Sequence, residues 1–189
     1  MDTKEQIAQV ALSLFARQGY HGVSIRDIAR AVGIKESSIY FHYASKQAIF
    51  DSLVAQAYRH MEGMKAAFIQ RFDQVGEVTE EAFVAVGLHY LNSYFRDAQV
   101  RPLIDMLSME RFANEAAAEA WQALLFSEPL AHQTRIFAEL QRRGIFRPAD
   151  AALLAREYHY AVLGTFLSGD PEETLAALIL RLYRREVVK

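Results

Sequence analysis

The segment SSIYFHYASK, Ser37 to Lys46, places hydroxyls, a histidine and a lysine among three aromatic rings. Such groups bond phosphate oxygens and base edges, whereas a helix that only fills a core does not need them. At about 100° per residue, Ile39 and Tyr43 share one face of a helix. Ser37, Ser38, Tyr40, Phe41 and His42 cover the remainder. Ile39 and Tyr43 are therefore expected to anchor the helix, and the others to face outward. The serines can bond bases or phosphates, and the Tyr40 phenol suits a phosphate. Phe41 suits a thymine methyl or a sugar edge. Lys46 falls at the start of the next predicted helix, where the macrodipole disfavours a cation by ~0.3–1 kcal/mol. A phosphate bound at that helix start would reverse the sign.

The surrounding elements read as helices. Residues 3–18 carry Ile7, Val10, Ala11, Leu14 and Phe15 at helical spacing. Thr3 with Gln6 fits a capping box, and Gly19 a stop. Ser24 with Asp27 opens a second helix, with Ile25, Ile28, Ala29 and Val32 inward, and Gly33 ends it. A short third helix is expected over Glu36 to Tyr43. Ser45 caps a fourth that runs to about Phe72. Two short helices joined at a glycine and set against a longer one make a helix-turn-helix module, whose second helix enters the DNA major groove.

Beyond the linker QVGEVTEE, the helical pattern resumes. Phe83, Gly87, Tyr90, Leu91 and Tyr94 form one stripe. Segments near 102–112 and 115–126 follow, then helices punctuated by Pro129, Gly144, Pro148 and Asp170-Pro171. The expected fold is all-α, with roughly nine or ten helices and no strand-like alternation.

Composition bounds the function. The chain of 189 residues is 52% hydrophobic and 23% charged, enough to bury a core. It has no cysteine, so disulfides and thiolate metal ligands are excluded. No apolar run approaches the ~18–20 residues of a membrane span. The N-terminus carries no signal-peptide pattern, so a cytoplasmic protein without a membrane partner is expected. The net charge of −2 hides an asymmetry: residues 1–50 carry six basic and four acidic side chains, which leaves −4 for the rest. That permits a basic face at the N-terminal end. No H-E-x-x-H, G-x-S-x-G or glycine-rich phosphate loop occurs, so no catalytic residue, metal site or cofactor is assigned, and an enzyme is not expected.

The run VALSLFARQGYHGVSIRDIARAVGIKESSIYFHYASKQAIFDSL resembles the N-terminal domain of the TetR family of bacterial transcriptional regulators. The resemblance rests on Phe15-Ala16-Arg17-Gln18-Gly19-Tyr20, Ser24-Ile25-Arg26-Asp27-Ile28-Ala29, Ala31-Val32-Gly33-Ile34 and Tyr40 to Lys46, and it covers residues 1 to about 53. Two positions depart mildly from the family pattern: Ser37 stands where Gly, Ala or Pro is common, and Tyr43 where Phe is common. The resemblance implies DNA contacts at Ser24, Arg26, Lys35, Glu36, Ser37, Ser38, Tyr40, Phe41, His42 and Lys46. Arg26 and residues 35–38 would read bases, and Tyr40, His42 and Lys46 would hold phosphates.

The resemblance also implies two domains, a helix-turn-helix domain over 1–46 and a helical effector-binding and dimerisation domain over 47–189. The implied partners are double-stranded operator DNA with an inverted repeat, a small hydrophobic or aromatic effector, and a second copy of the chain. Effector contacts are expected at His89, Tyr90, Tyr94, Met106, Met109, Phe112, Trp121 and Phe126, with His159 a further polar candidate. The dimer is expected to form a four-helix bundle from residues near 129–143 and 149–167. Ile136, Phe137, Leu140, Tyr158, Val162 and Phe166 are its expected contacts, among apolar positions that also include Leu153 and Leu167. The implied role is a ligand-responsive regulator, most often a repressor in this family. An effector-independent activator or an architectural DNA binder is the alternative.

Overall fold

The structure, a computed structural model, describes residues 2–74 and 78–188, with side chains for 2–63 and 78–188. Part of the predicted linker, residues 75–77, lies outside this range. The described residues form ten α-helices with no β-strand, apart from one antiparallel bridge between Phe146 and Val187. The helices are α1 Thr3–Gln18, α2 Ile25–Val32, α3 Glu36–His42, α4 Lys46–Gln74 and α5 Glu80–Tyr90. They continue as α6 Arg101–Glu110, α7 Glu115–Gln122, α8 Glu128–Arg142, α9 Ala151–Ser168 and α10 Glu172–Glu186. A π-helical turn over Leu91–Phe95 extends α5, and a second over Ala123–Ser127 joins α7 to α8. The sequence pattern over 115–126 reads as one helix because the side-chain period hardly changes where the ladder widens.

Two compact units divide the chain. The first comprises Met1–Met61 with Ala98–Gln122, and the second Glu62–Asp97 with Ala123–Lys189.

In the first unit, α1 packs on α2 and on α6. Ile7, Ala11, Phe15, Ile28, Ile39, Ile49, Phe50 and Leu53 are buried. Phe15, Tyr20 and Phe50 form an aromatic triangle with centroids 5.2–6.4 Å apart. Phe15 and Phe50, both fully buried, each contribute about 1.5–3 kcal/mol by leaving water. Ala8 and Leu12 are also buried, while Val10 and Leu14 are only half-buried. Helix α1 therefore buries a face rotated from the predicted stripe, because it meets partners on two sides. Its cap also differs from expectation: Asp2 accepts from the Lys4 N–H, and Glu5 reaches back to the Asp2 N–H. An aspartate one residue earlier serves as the cap in place of Thr3 with Gln6.

The second unit is centred on Phe83, which meets Phe137, Phe146, Tyr158 and Tyr183 at 5.3–6.3 Å. Helix α5 packs on α10, and α8 on α9. Gly87 permits the first contact. A Cβ there would collide with Ile179 Cδ1 and stand 3.1 Å from the Tyr158 hydroxyl. We expect Gly87→Ala to cost about 1–3 kcal/mol in urea unfolding, the usual range for overpacking. An unchanged midpoint would mean that α10 can back away freely.

Candidate nucleic-acid interface

The frame of the candidate site is local and polar. Ser24 caps α2 by accepting from the Asp27 N–H at 3.1 Å. Asp27 answers by accepting from the Ser24 hydroxyl and N–H. These hydrogen bonds, the hydroxyl's first, hold the Asp27 carboxyl below its usual pKa. At the other end Gly33 takes φ 81°, the left-handed region that a Cβ disfavours. This lets the N–H groups of Gly33 and Ile34 bond back to the Ala29 carbonyl at 2.9 and 3.0 Å. The turn leads into α3, which stays in contact with α2. Ile39 is fully buried and Tyr43 is 7% exposed, so the two predicted anchors hold α3 to the unit. Tyr43 also carries its hydroxyl to the Lys4 carbonyl.

What α3 presents outward is unusual for a free surface. Phe41 is 87% exposed and Tyr40 54% exposed. Ser37 is exposed, and Ser38 and His42 are half-buried. The Phe41 and His42 rings meet edge to face at 5.2 Å. Lys35, Glu36, Ser24 and Arg26 are exposed beside them. Arg26 Nε donates to Glu36 Oε1 at 3.2 Å. The pair is exposed, hence weak, and it can exchange for a base or phosphate contact at little cost.

Lys46 is placed differently from the sequence expectation in the free protein. Its ammonium donates to the carbonyls of Tyr20 and Val23, both at 2.8 Å, and lies 4.2 Å from the Tyr20 ring centre. The cation at a helix start is thus accommodated by the chain's own α1–α2 loop. One of its three N–H bonds is left over from these two contacts. Ser45 caps α4 as predicted, accepting from the Ala48 N–H.

Sequence reasoning missed Glu110. This carboxylate is 5% exposed and accepts from the Tyr20 N–H at 2.7 Å. His21 Nε2 stands 3.9 Å from its other oxygen. The α1–α2 loop is therefore held from two directions, by Lys46 at the start of α4 and by Glu110 at the end of α6. The signal was present in the sequence: Glu110 follows Met106 by four residues and Leu107 by three, on the buried face of α6.

The pattern of the bacterial regulatory proteins of the TetR family matches residues 7–53, the segment just described. Over those residues the chain is similar to the TetR-family regulators. A curated relative, the negative transcriptional regulator IcaR of the biofilm operon icaADBC in Staphylococcus aureus (strain Newman), is 34% identical over 61 residues. That match covers 32% of this chain and 33% of IcaR, so it spans about a third of the curated relatives' length. A TetR-family regulator of Mesorhizobium loti has a similar fold, with a TM-score of 0.75 at 18% identity, over 98% of this chain and 97% of that one. AibR, solved with isovaleryl coenzyme A and operator DNA, superposes with a TM-score of 0.65 at 20% identity, over 95% and 96% of the two chains. At these identities the likeness shows a shared TetR-type fold.

The residues expected to meet an effector divide between the units. In the first unit Met106 is buried, while Met109 is 48% and Phe112 83% exposed. Trp121 donates to the Ser108 hydroxyl at 3.0 Å and carries Arg111 over its ring. In the second unit Tyr90 and Tyr94 pack at 5.3 Å, Phe126 lies 6.4 Å from His159, and His89 is exposed. Of the expected dimer contacts, Phe137, Leu140, Tyr158, Val162 and Phe166 are enclosed within the second unit, and Ile136 is half-buried. Among the described residues, no group of three or more His, Asp or Glu is placed to hold a metal, and no helix is long and apolar enough to cross a membrane.

His159 is fully buried, and that burial lowers its pKa from 6.5, against the pull of its bond to the Leu125 carbonyl. A folded pKa below the unfolded one gives stability that is complete above pH 6.5 and is lost as pH falls toward the folded value. We expect this group to weaken the fold by up to about 1.4 kcal/mol per pH unit below that point. Denaturant midpoints of wild type and His159→Gln between about pH 5 and 7 check this, since the variant should lose that part of the slope.

Proposed function

We propose that the chain is a transcriptional repressor that grips an inverted-repeat operator as a homodimer and releases it on binding a small hydrophobic or aromatic effector. The observation that carries this reading is the outward face of α3. A seven-residue helix anchored by Ile39 and Tyr43 leaves Phe41 and Tyr40 standing in water beside Ser37 and Arg26. A major-groove surface gives those side chains bases, sugars and phosphates to touch. The negative regulation named for IcaR supports the sign of control, and the operator complex of AibR supports DNA as partner.

In this reading residues 1–46 read DNA, while residues 47–189 bind the effector and pair the two copies. Residues already enclosed in one subunit cannot also face a partner. Leu153, Tyr160 and Leu167 recur every seventh residue on α9 and are 62%, 49% and 68% exposed. That stripe is the surface we assign to the dimer, since helices packed side by side bury such rows. An effector that favours a dimer with mismatched recognition-helix spacing would release DNA by mass action.

Mobility shifts and fluorescence anisotropy on the DNA upstream of the chain's own gene test the reading. Saturable binding to a palindromic site, weakening steeply with salt, is expected. Failure to bind any such duplex at low salt would sink it.

A further inference from the structure

Glu110 is a buried carboxylate for which the reading of α3 finds no use. It is 5% exposed, and a charge taken out of water is costly unless it is bonded. A methionine would fill the same space at the end of α6 without that cost, so packing alone does not account for the charge. What the carboxylate holds does account for it.

Tyr20 is gripped at every group it carries. Its ring packs against Phe15 at 5.4 Å and Phe50 at 5.2 Å, and its hydroxyl donates to Gln47 at 3.0 Å. Its carbonyl accepts from Lys46 at 2.8 Å. All these partners lie within residues 7–53, the stretch that matches the TetR pattern. The N–H is held from outside that stretch: it donates to Glu110 Oε1 at 2.7 Å, across 90 residues of chain. A hydrogen bond to an ionised acceptor is about twice as strong as a neutral one. Gly19 makes room for this one. A Cβ there would stand 3.3 Å from the same oxygen, at a φ of 73° that a side chain already disfavours. His21 stands 3.9 Å from the other oxygen on a side chain that is 77% exposed, so it adds little.

The Tyr20 backbone in turn sets the start of α2. The Val23 N–H bonds back to the Tyr20 carbonyl at 3.4 Å, and Val23 is 2% exposed, so residues 20–23 form a tight, anchored turn. Ser24, the next residue, caps α2, and Arg26 follows within its first turn. Both are among the expected DNA contacts. Hydrogen bonds to bases keep their strength over a window of only about half an ångström in length, so a shift of this turn is felt where α2 meets DNA. Attraction to phosphates makes no such demand.

We infer that Glu110 is a positioning residue for DNA reading, which holds the turn at Tyr20 to Val23 so that Ser24 and Arg26 meet the operator in register. The inference rests on the DNA-binding reading above. Fluorescence anisotropy of the full chain on the palindromic duplex from upstream of its gene, and on a scrambled duplex of equal length, tests it. Glu110→Met fills the space but offers Tyr20 no acceptor. Its preference for the palindrome over the scrambled duplex should fall by about fivefold or more, the lower end of what one base contact is worth. Its binding to the scrambled duplex, driven by phosphates, should move by less than about twofold. Glu110→Gln keeps an oxygen for the Tyr20 N–H, so it should retain the preference to within about twofold. The order of these two variants separates positioning from packing, since a packing role would favour methionine over a buried amide. Circular dichroism at the temperature of the binding measurement checks that each is folded. If Glu110→Met is not, Glu110→Asp serves in its place, because its carboxylate falls one methylene short of the N–H. An undiminished preference in the folded Met or Asp variant, or a loss in Glu110→Gln as large as theirs, overturns the inference and leaves the regulator reading intact. A wild-type chain that binds no such duplex overturns both.

Discussion

A chain carrying Leu153→Glu and Leu167→Glu together is expected to elute as a folded monomer and to lose operator affinity by about 10²–10⁴-fold, the scale of avidity from two joined half-sites. Both leucines are more than 60% exposed in the isolated subunit. Glutamates there meet water in the monomer and apolar surface in the dimer. Surface changes of this kind usually move stability by no more than about 0.5 kcal/mol. Melting at low protein concentration should hardly change, while light scattering after gel filtration should report half the mass. A dimer that survives the double change would place the pairing surface elsewhere. The same argument explains why Phe137 or Tyr158 would be poor probes. Their rings belong to the cluster around Phe83, and truncating them would empty the core before it told anything about pairing.

Lys46→Ala is expected to fail on two independent readouts. The ammonium ties two carbonyls of the α1–α2 loop at once, those of Tyr20 and Val23. Hydrogen bonds from a charged donor contribute about 1.5–3 kcal/mol each at most, and the half-buried position of Lys46 lowers that. A loss of about 2 kcal/mol in denaturant unfolding is the expected result. The remaining N–H points to the second readout. If it meets a phosphate in the complex, the slope of log K against log salt should become shallower by about 0.9. An unchanged midpoint would dismiss the clasp, and an unchanged slope would dismiss the phosphate.

Both ends of α2 and the start of α4 were legible because they are written in local chemistry. Ser24 with Asp27, Gly33 and Ser45 act within three or four residues of themselves, and their partners are the chain's nearest groups. The anchoring pair Ile39 and Tyr43 was legible for a related reason, since a helix fixes which residues share a face. Other features depend on partners far away in sequence. The burial of Leu12 in place of Leu14 accompanies partners on α1 from both α2 and α6, whose approach leaves no mark on its periodicity. Glu110 meets Tyr20 across ninety residues, and His159 meets Tyr90 across 69. Hydrophobicity alone also ranked α9 misleadingly. Its most apolar positions fill the interior of the unit, and the outward stripe is read only once the inward one is known.

The first unit is built from two separated stretches, Met1–Met61 and Ala98–Gln122. During synthesis, the 61 residues between Met61 and Gln122 take roughly 3–12 s to add at ~5–20 residues per second. Until α6 is made, the α6-facing side of α1 has no native neighbour, and the N–H of Tyr20 waits for the Glu110 carboxylate. The first unit is thus begun early in the sequence and completed late. A nascent chain completes its first unit only once Gln122 has been added, about two thirds of the way along its 189 residues.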